Sequence, residues 1–132
     1  MTQDELQAIA SKRLDTTITP TTNRFCNFDG FSEDYVIEFK CRRAHYDAQL
    51  IEYKKFMWNI GNANESGKEF LYVISTPEGE YIFNVSKLID ESYDFGWEDR
   101  IMPDKTDFYS PLKHVTKKVG YIDVMDCIPI HI

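Results

Sequence analysis

Asp29-Gly-Phe-Ser-Glu-Asp-Tyr-Val-Ile-Glu-Phe-Lys40 is the stretch that decides the fold and carries the chemistry of this chain. Side chains of a strand alternate between its two faces. A strand over 35–42 therefore carries Tyr35, Ile37, Phe39 and Cys41 on one side and Val36, Glu38, Lys40 and Arg42 on the other. The first side is apolar and made for burial. The second aligns a carboxylate, an ammonium and a guanidinium, with Asp29 arriving from the preceding segment. Two acids beside one lysine suit a divalent cation and an anionic substrate.

Working outward, 2–14 reads as a short helix, with Thr2 and Glu5 in capping-box spacing and a stripe of Leu6, Ile9, Ala10 and Leu14. The threonine-rich segment 16–22, broken by Pro20, is a connector. Strands are expected at 24–28 and 35–42, joined by a tight turn through Asp29-Gly30 and 32–34. A helix is predicted over 44–60 from Tyr46, Leu50, Tyr53, Met57 and Ile60, with Gly61 as its stop. Strands at 70–76 and 81–88 flank a turn at 77–80. Segment 90–111 is irregular, acidic and aromatic, and a last strand spans 119–124, extending toward 132. The order α-β-β-α-β-β-(irregular)-β predicts a single α/β domain with a mixed, helix-flanked β-sheet over 1–132.

At 132 residues the chain has room for one real core and little more. No apolar run approaches a membrane span, and the polar, acidic N-terminus is unlike a signal peptide, so no membrane partner and a cytoplasmic location are expected. Cys26, Cys41 and Cys127 are scattered thiols with neither zinc-site nor disulfide spacing. The net charge of −7 weighs against nucleic-acid binding, whose affinity comes largely from neutralising phosphates. Its distribution softens that objection. From Lys12 to Lys55 there are eight Lys/Arg against seven acids, whereas from Glu78 to Asp107 there are three against nine.

Asp29, followed nine residues later by Glu38-Phe-Lys40, with Gln49-Leu-Ile-Glu-Tyr53 beyond, resembles the PD-(D/E)XK nuclease superfamily, in particular its lambda-exonuclease and RecB-like branches. Phe28 stands where the name-giving proline would be. The resemblance covers roughly 2–60 and implies a restriction-endonuclease-like core (αβββαβ-type). It implies Mg²⁺, with Mn²⁺ as substitute, held by Asp29, Glu38 and the backbone carbonyl of Phe39, with Glu5 as a further candidate ligand. Lys40 would orient or deprotonate the attacking water, and Gln49 and Tyr53, one helical turn apart, would hydrogen-bond the phosphate or the lysine. Arg42, Arg43, Tyr53, Lys113, Lys117 and Lys118 are candidate DNA contacts.

Each group also has a plainer role open to it. Asp29-Gly30 is good turn chemistry, and Glu38 with Lys40 could be a solvated strand face. Gln49 and Tyr53 could be ordinary helix surface and core, and Glu5 a capping acid. His45, His114 and His131 lack ligand spacing, and Trp58 and Trp97 are expected to pack. Two functions follow. One is a Mg²⁺-dependent DNA endonuclease, of homing, restriction-like, junction or repair type. A chain this small would need to be a homodimer or homotetramer to cut both strands, with 90–118 as the candidate segment for DNA contact or oligomerisation. The other is a catalytically silent acidic protein on the same scaffold, acting as a regulator or inhibitor. Nothing in protein binding requires two carboxylates and a lysine to converge, and crowding two carboxylates is costly.

Overall fold

A computed structural model of the chain describes residues 1–21, 28–103 and 114–129. Helix α1 (Gln3–Leu14) leads into β1 (Thr19–Pro20), β2 (Gly30–Phe31), β3 (Tyr35–Cys41) and β4 (Ala48–Glu52). Helix α2 (Tyr53–Ser66) follows, then β5 (Glu69–Thr76), β6 (Gly79–Asn84), the short α3 (Val85–Asp90), β7 (Glu98–Pro103) and β8 (His114–Asp123). Two sheets form, one in the order β1-β2-β3-β5-β6 and one in the order β4-β8-β7.

Strand β3 is the centre of the larger sheet. It pairs with β2 antiparallel on one edge and with β5 parallel on the other, in register from Tyr35 opposite Glu69 to Cys41 opposite Ser75. Parallel neighbours need a crossover, and β4 with α2 supplies it. The predicted alternation of β3 holds through Phe39, whereas Cys41, expected on the buried apolar side, is exposed at the strand's end. Ile37 and Phe39 bury against Leu6 and Ala10 of α1 together with Leu71 and Val73, while Val36 joins a second core with Phe56, Ala63 and Phe70. Both faces of the sheet are thus covered, so Glu38, on the α2 side, is 3% exposed. It is a buried acid rather than part of a solvated strand face.

Local chemistry accounts for the helix ends. The Thr2 hydroxyl accepts the Glu5 N–H and donates to the Glu5 carboxylate. Asp4 and Glu5 lie in the first turn of α1 and Lys12 and Arg13 in its last, complementing the helix dipole. Asn84 accepts the Lys87 N–H at 3.0 Å, which ends β6 and starts α3 inside the single strand expected at 81–88.

The helix predicted over 44–60 is corrected. Residues 48–52 form β4, paired with β8 from Ala48 opposite Asp123 to Glu52 opposite Val119. The helix begins at Tyr53, runs past Gly61, and ends with Gly67 in the left-handed region at φ 67°. Its buried residues are Phe56, Asn59 and Ala63, whereas Tyr46 and Met57 are exposed. Ala-Gln-Leu-Ile-Glu suits a helix by propensity, but its apolar residues fit a period of two as well as of 3.6. Pairing with β8 decides between them.

Gly30 is corrected as well. It lies inside β2 rather than in a turn, and an added Cβ would meet Ile18 Cγ2 at 3.0 Å and the Thr19 carbonyl at 3.3 Å. Close approach of β1, not turn chemistry, calls for glycine here. The described part of segment 90–111, up to Pro103, is less irregular than expected. Tyr93, Phe95 and Trp97 pack on the α2-side core, and β7 pairs with β8. Most of the strand expected at 24–28, and Phe108 and Tyr109, lie outside the described residues.

Candidate active site

Glu38 and Lys40 leave β3 on the same face. The Lys40 ammonium stands 3.9 Å from Glu38 Oε1, with the lysine about one-third exposed and the glutamate buried. Burial pushes the Glu38 carboxyl up to about 7, the nearby charges of Asp29 and Glu52 add to that, and Lys40 and Lys55 oppose it. Burial also pulls the Lys40 ammonium below its ordinary value, as do its cationic neighbours Lys55 and Arg42, while Glu38 and Asp29 act the other way. Each charge is held where its ionised form is disfavoured, a situation that an additional cation or an anionic ligand relieves.

Asp29 reaches this place from the neighbouring segment. Its backbone N–H donates to the Ile37 carbonyl at 2.9 Å, and its Oδ2 accepts the Phe39 N–H at 2.8 Å. The carboxylate thus continues the ladder that β2 begins. Within a strand the N–H and C=O of one residue point to the same edge. The Phe39 carbonyl therefore faces the edge that Asp29 occupies.

Glu38 and Lys40 line a cleft of about 360 Å³, with Arg42, Glu52, Lys55 and Lys117 on its other walls. Arg42 is held in place, its guanidinium donating to the Leu50 carbonyl and to the Tyr72 hydroxyl, each at 3.1 Å. Tyr72, paired with Glu38 across β3 and β5, donates to the same Leu50 carbonyl at 3.2 Å. Three strands are tied together beneath the cleft. Lys117 meets Glu52 Oε1 at 3.2 Å. Among the described residues the rim carries Lys40, Arg42, Lys55 and Lys117 against Glu38 and Glu52, a local balance unlike the net charge of −7.

Of the expected site residues, Glu38, Lys40, Arg42 and Lys117 line the cleft. Asp29 and Phe39 do not line it, but Asp29 is bonded to the N–H of Phe39, on the strand of Glu38 and Lys40, and its charge acts on both of them. The rest lie elsewhere. Gln49 is on β4, not a helix; its side chain is buried and its Nε2 donates to the Tyr46 carbonyl at 2.6 Å. Alternation along β4 turns Leu50 and Glu52, not Gln49, toward the cleft. Gln49 and Tyr53 are therefore not one helical turn apart. Glu5 is exposed and engaged with Thr2 as a capping acid, outside the cleft lining. Arg43 is exposed and also outside that lining. Tyr53 and Lys118 belong to an adjoining groove, with the Lys118 ammonium 4.1 Å from the centre of the Tyr53 ring. Lys113 lies outside the described residues.

Glu52 and Lys55 are the site residues that sequence reading missed. The mistaken helix hid them, because a strand ending at Glu52 aims its last outward side chain beside Glu38, and the following first turn of α2 adds Lys55.

A divalent cation fits the donor set. Among the described residues no cluster of three or more His, Cys, Asp or Glu side chains is present. Two carboxylates and one backbone carbonyl form a sparse, all-oxygen set, which suits Mg²⁺ because that ion keeps several waters. Among the described residues, neither His45 nor His114 lines the cleft. His45 contacts Thr76 at 2.9 Å, Asp47 at 3.1 Å and Glu78 at 2.9 Å, away from the cleft lining.

No family model and no curated protein matches this chain. Among solved structures, its fold is similar to that of Hjc, a Holliday junction resolvase from the archaeal hyperthermophile Archaeoglobus fulgidus. The two share 14% identity with a TM-score of 0.60, over 98% of this chain and 96% of that one. The chain has the restriction-endonuclease-like α/β fold.

Proposed function

We propose that this protein is a metal-dependent DNA endonuclease that hydrolyses phosphodiester bonds, of junction or repair type. The single observation that carries this is the Glu38–Lys40 pair, 3.9 Å apart in a cleft walled by Arg42, Lys55 and Lys117, with the Asp29 carboxylate bonded to the N–H of Phe39 between them. The fold it shares with a Holliday junction resolvase supports the junction-type choice. No helix among the described residues is long and apolar enough to cross a membrane.

Asp29, Glu38 and the Phe39 carbonyl would hold Mg²⁺ or Mn²⁺. When bound, such a cation neutralises charge on the scissile phosphate and acidifies water. Arg42, Lys55 and Lys117 bind the phosphate, and Arg42 does so from a fixed position because the Leu50 carbonyl and Tyr72 hydroxyl hold it. Lys40, with its lowered pKa, orients the attacking water and accepts or returns a proton there. Cutting both strands of a duplex or junction needs two such clefts, hence a homodimer or a higher symmetric assembly.

The test is nicking of plasmid and of four-way-junction DNA with Mg²⁺, Mn²⁺ or EDTA. Cleavage should require the metal and vanish in Glu38→Ala and Lys40→Ala proteins that retain the native circular dichroism spectrum. A folded wild-type chain equally inert with and without metal on duplex, branched and single-stranded DNA would sink the catalytic account.

A further inference from the structure

Beside the catalytic cleft runs a second groove of about 540 Å³, which shares Glu52, Lys55 and Lys117 with it and is lined further by Lys54, Trp58 and Lys118. We infer that this groove seats unpaired nucleotides with Trp58 as the stacking platform, so that the preferred substrate carries a single-stranded or splayed arm next to the scissile phosphate. The inference names the substrate class of the proposed nuclease and rests on that reading.

Trp58 was expected to pack, and it does not. Its side chain is 57% exposed. Trp97, by contrast, stands edge-on to Tyr53 and to Phe56 at 4.9 Å each. A single exposed indole is unremarkable by itself. Its surroundings are not. Lys54 and Lys55 precede Trp58 by four and three residues on α2, so all three share one helix face. Lys117 and Lys118 approach from β8, with Lys118 held over the Tyr53 ring. In a chain of net charge −7, the Trp58 face thus lies among four ammonium groups, with Glu52 as the one acid among the described residues of the lining.

Cationic walls that track phosphates, combined with an open π-face, are the recognition chemistry of single-stranded nucleic acid. A continuous duplex keeps its base faces stacked inside and offers none to Trp58. An arm whose bases have come apart offers one. Continuity with the cleft places that arm on the same strand as the phosphate near Asp29 and Glu38, or on the strand beside it. The other occupant compatible with four lysines is the acidic surface of a second copy of this chain.

The experiment uses the full chain in EDTA, so that no cleavage intervenes. An oligo-dT, a splayed-arm duplex and a continuous duplex of matched length are titrated while anisotropy and tryptophan fluorescence are read. Oligo-dT and the splayed arm should quench the emission, and Trp58→Phe should retain binding. Trp58→Ala should lower the ratio of splayed-arm to duplex affinity by about tenfold or more, the scale of losing one base–aromatic stack. A ratio unmoved by Trp58→Ala overturns the inference and leaves metal-dependent nicking untouched. Quenching with no nicking in Mg²⁺ supports the groove while the catalytic reading falls. If oligo-dT does not quench and Trp58→Ala dissociates a dimer in sedimentation, the groove is a self-interface and the inference is wrong.

Discussion

Asp29 Oδ2 accepts the backbone N–H of Phe39 at 2.8 Å, so a carboxylate from one strand segment is fixed to the edge of the strand that carries Glu38. The bond engages Oδ2. It also sets Asp29 close enough for its charge to raise the Glu38 pKa. The attractions of Lys40 and of Lys55 each outweigh that repulsion, so burial is what leaves the Glu38 carboxyl raised.

Asp29→Asn separates the bond from the charge. The amide oxygen can still accept the Phe39 N–H, so stability should change by less than about 1 kcal/mol. Metal-dependent cleavage should nonetheless fall by about a hundredfold or more, since even groups outside a metal's own ligands commonly cost ten- to a hundredfold. Asp29→Ala loses the bond too and should be about 1–2 kcal/mol less stable in urea unfolding. Full cleavage by the asparagine variant would remove Asp29 from the metal site.

Glu38 gives a pH signature. Its folded pKa, about 7, lies above the ordinary 4.5, so the fold prefers the neutral acid. That contribution is complete below about 4.5 and is lost as pH rises through 7. The shift corresponds to about 3 kcal/mol, reduced in any glutamine variant because Lys40 then loses its anionic neighbour. Metal-free Glu38→Gln should therefore exceed wild type by about 1–2 kcal/mol at pH 8 and gain nothing at pH 4. Adding Mg²⁺ should stabilise wild type at pH 8 and not the variant. A stability difference independent of pH would mean that the carboxyl is not buried as described.

The alternation within 35–42 was legible because period two is unambiguous there, and it gave the face carrying Glu38 and Lys40 correctly. The capping of α1 by Thr2 was legible for the same reason, since its partners lie within one turn. Residues 48–52 were not. Their partner is β8, seventy residues away, and nothing local distinguishes a strand from a helix in that run. Misplacing them cost Glu52 and Lys55 and put Gln49 on a helix face with Tyr53, whereas it lies on β4 with its amide bonded to the Tyr46 carbonyl. Trp58 and Trp97 look alike in sequence. Trp97 packs against Tyr53, Phe56 and Phe95 in room left by the missing Cβ of Gly120, contacts set by the tertiary fold, whereas Trp58 lies on an exposed face of α2.

That glycine makes its own prediction. A Cβ at Gly120 would stand 2.8 Å from Trp97 Cε3 and Cζ3 and 3.0 Å from Phe95 Cβ. Trp97 is itself wedged against Tyr53 and Phe56, so the ring has little room to yield. Gly120→Ala should cost about 1–3 kcal/mol by overpacking, seen as a lower urea midpoint with an unchanged slope. An unaltered midpoint would show that Trp97 can move aside.

Lys117 and Glu52 test whether the cleft reads phosphates. Their contact is 3.2 Å and both side chains are about one-quarter exposed, so the pair is worth no more than about 1 kcal/mol to the fold. Binding should respond far more. Lys117→Ala removes one phosphate neutralisation and should reduce the slope of log affinity against log salt by about 1. Glu52→Gln frees Lys117 and removes an anion from the rim, so DNA affinity at low salt should rise several-fold. The two variants must move in opposite directions if the ammonium serves DNA. Should both weaken binding equally, with salt slopes unchanged, Lys117 and Glu52 would be acting only as the brace between β8 and the start of α2, and the phosphate would have to be held by Arg42 and Lys55 alone.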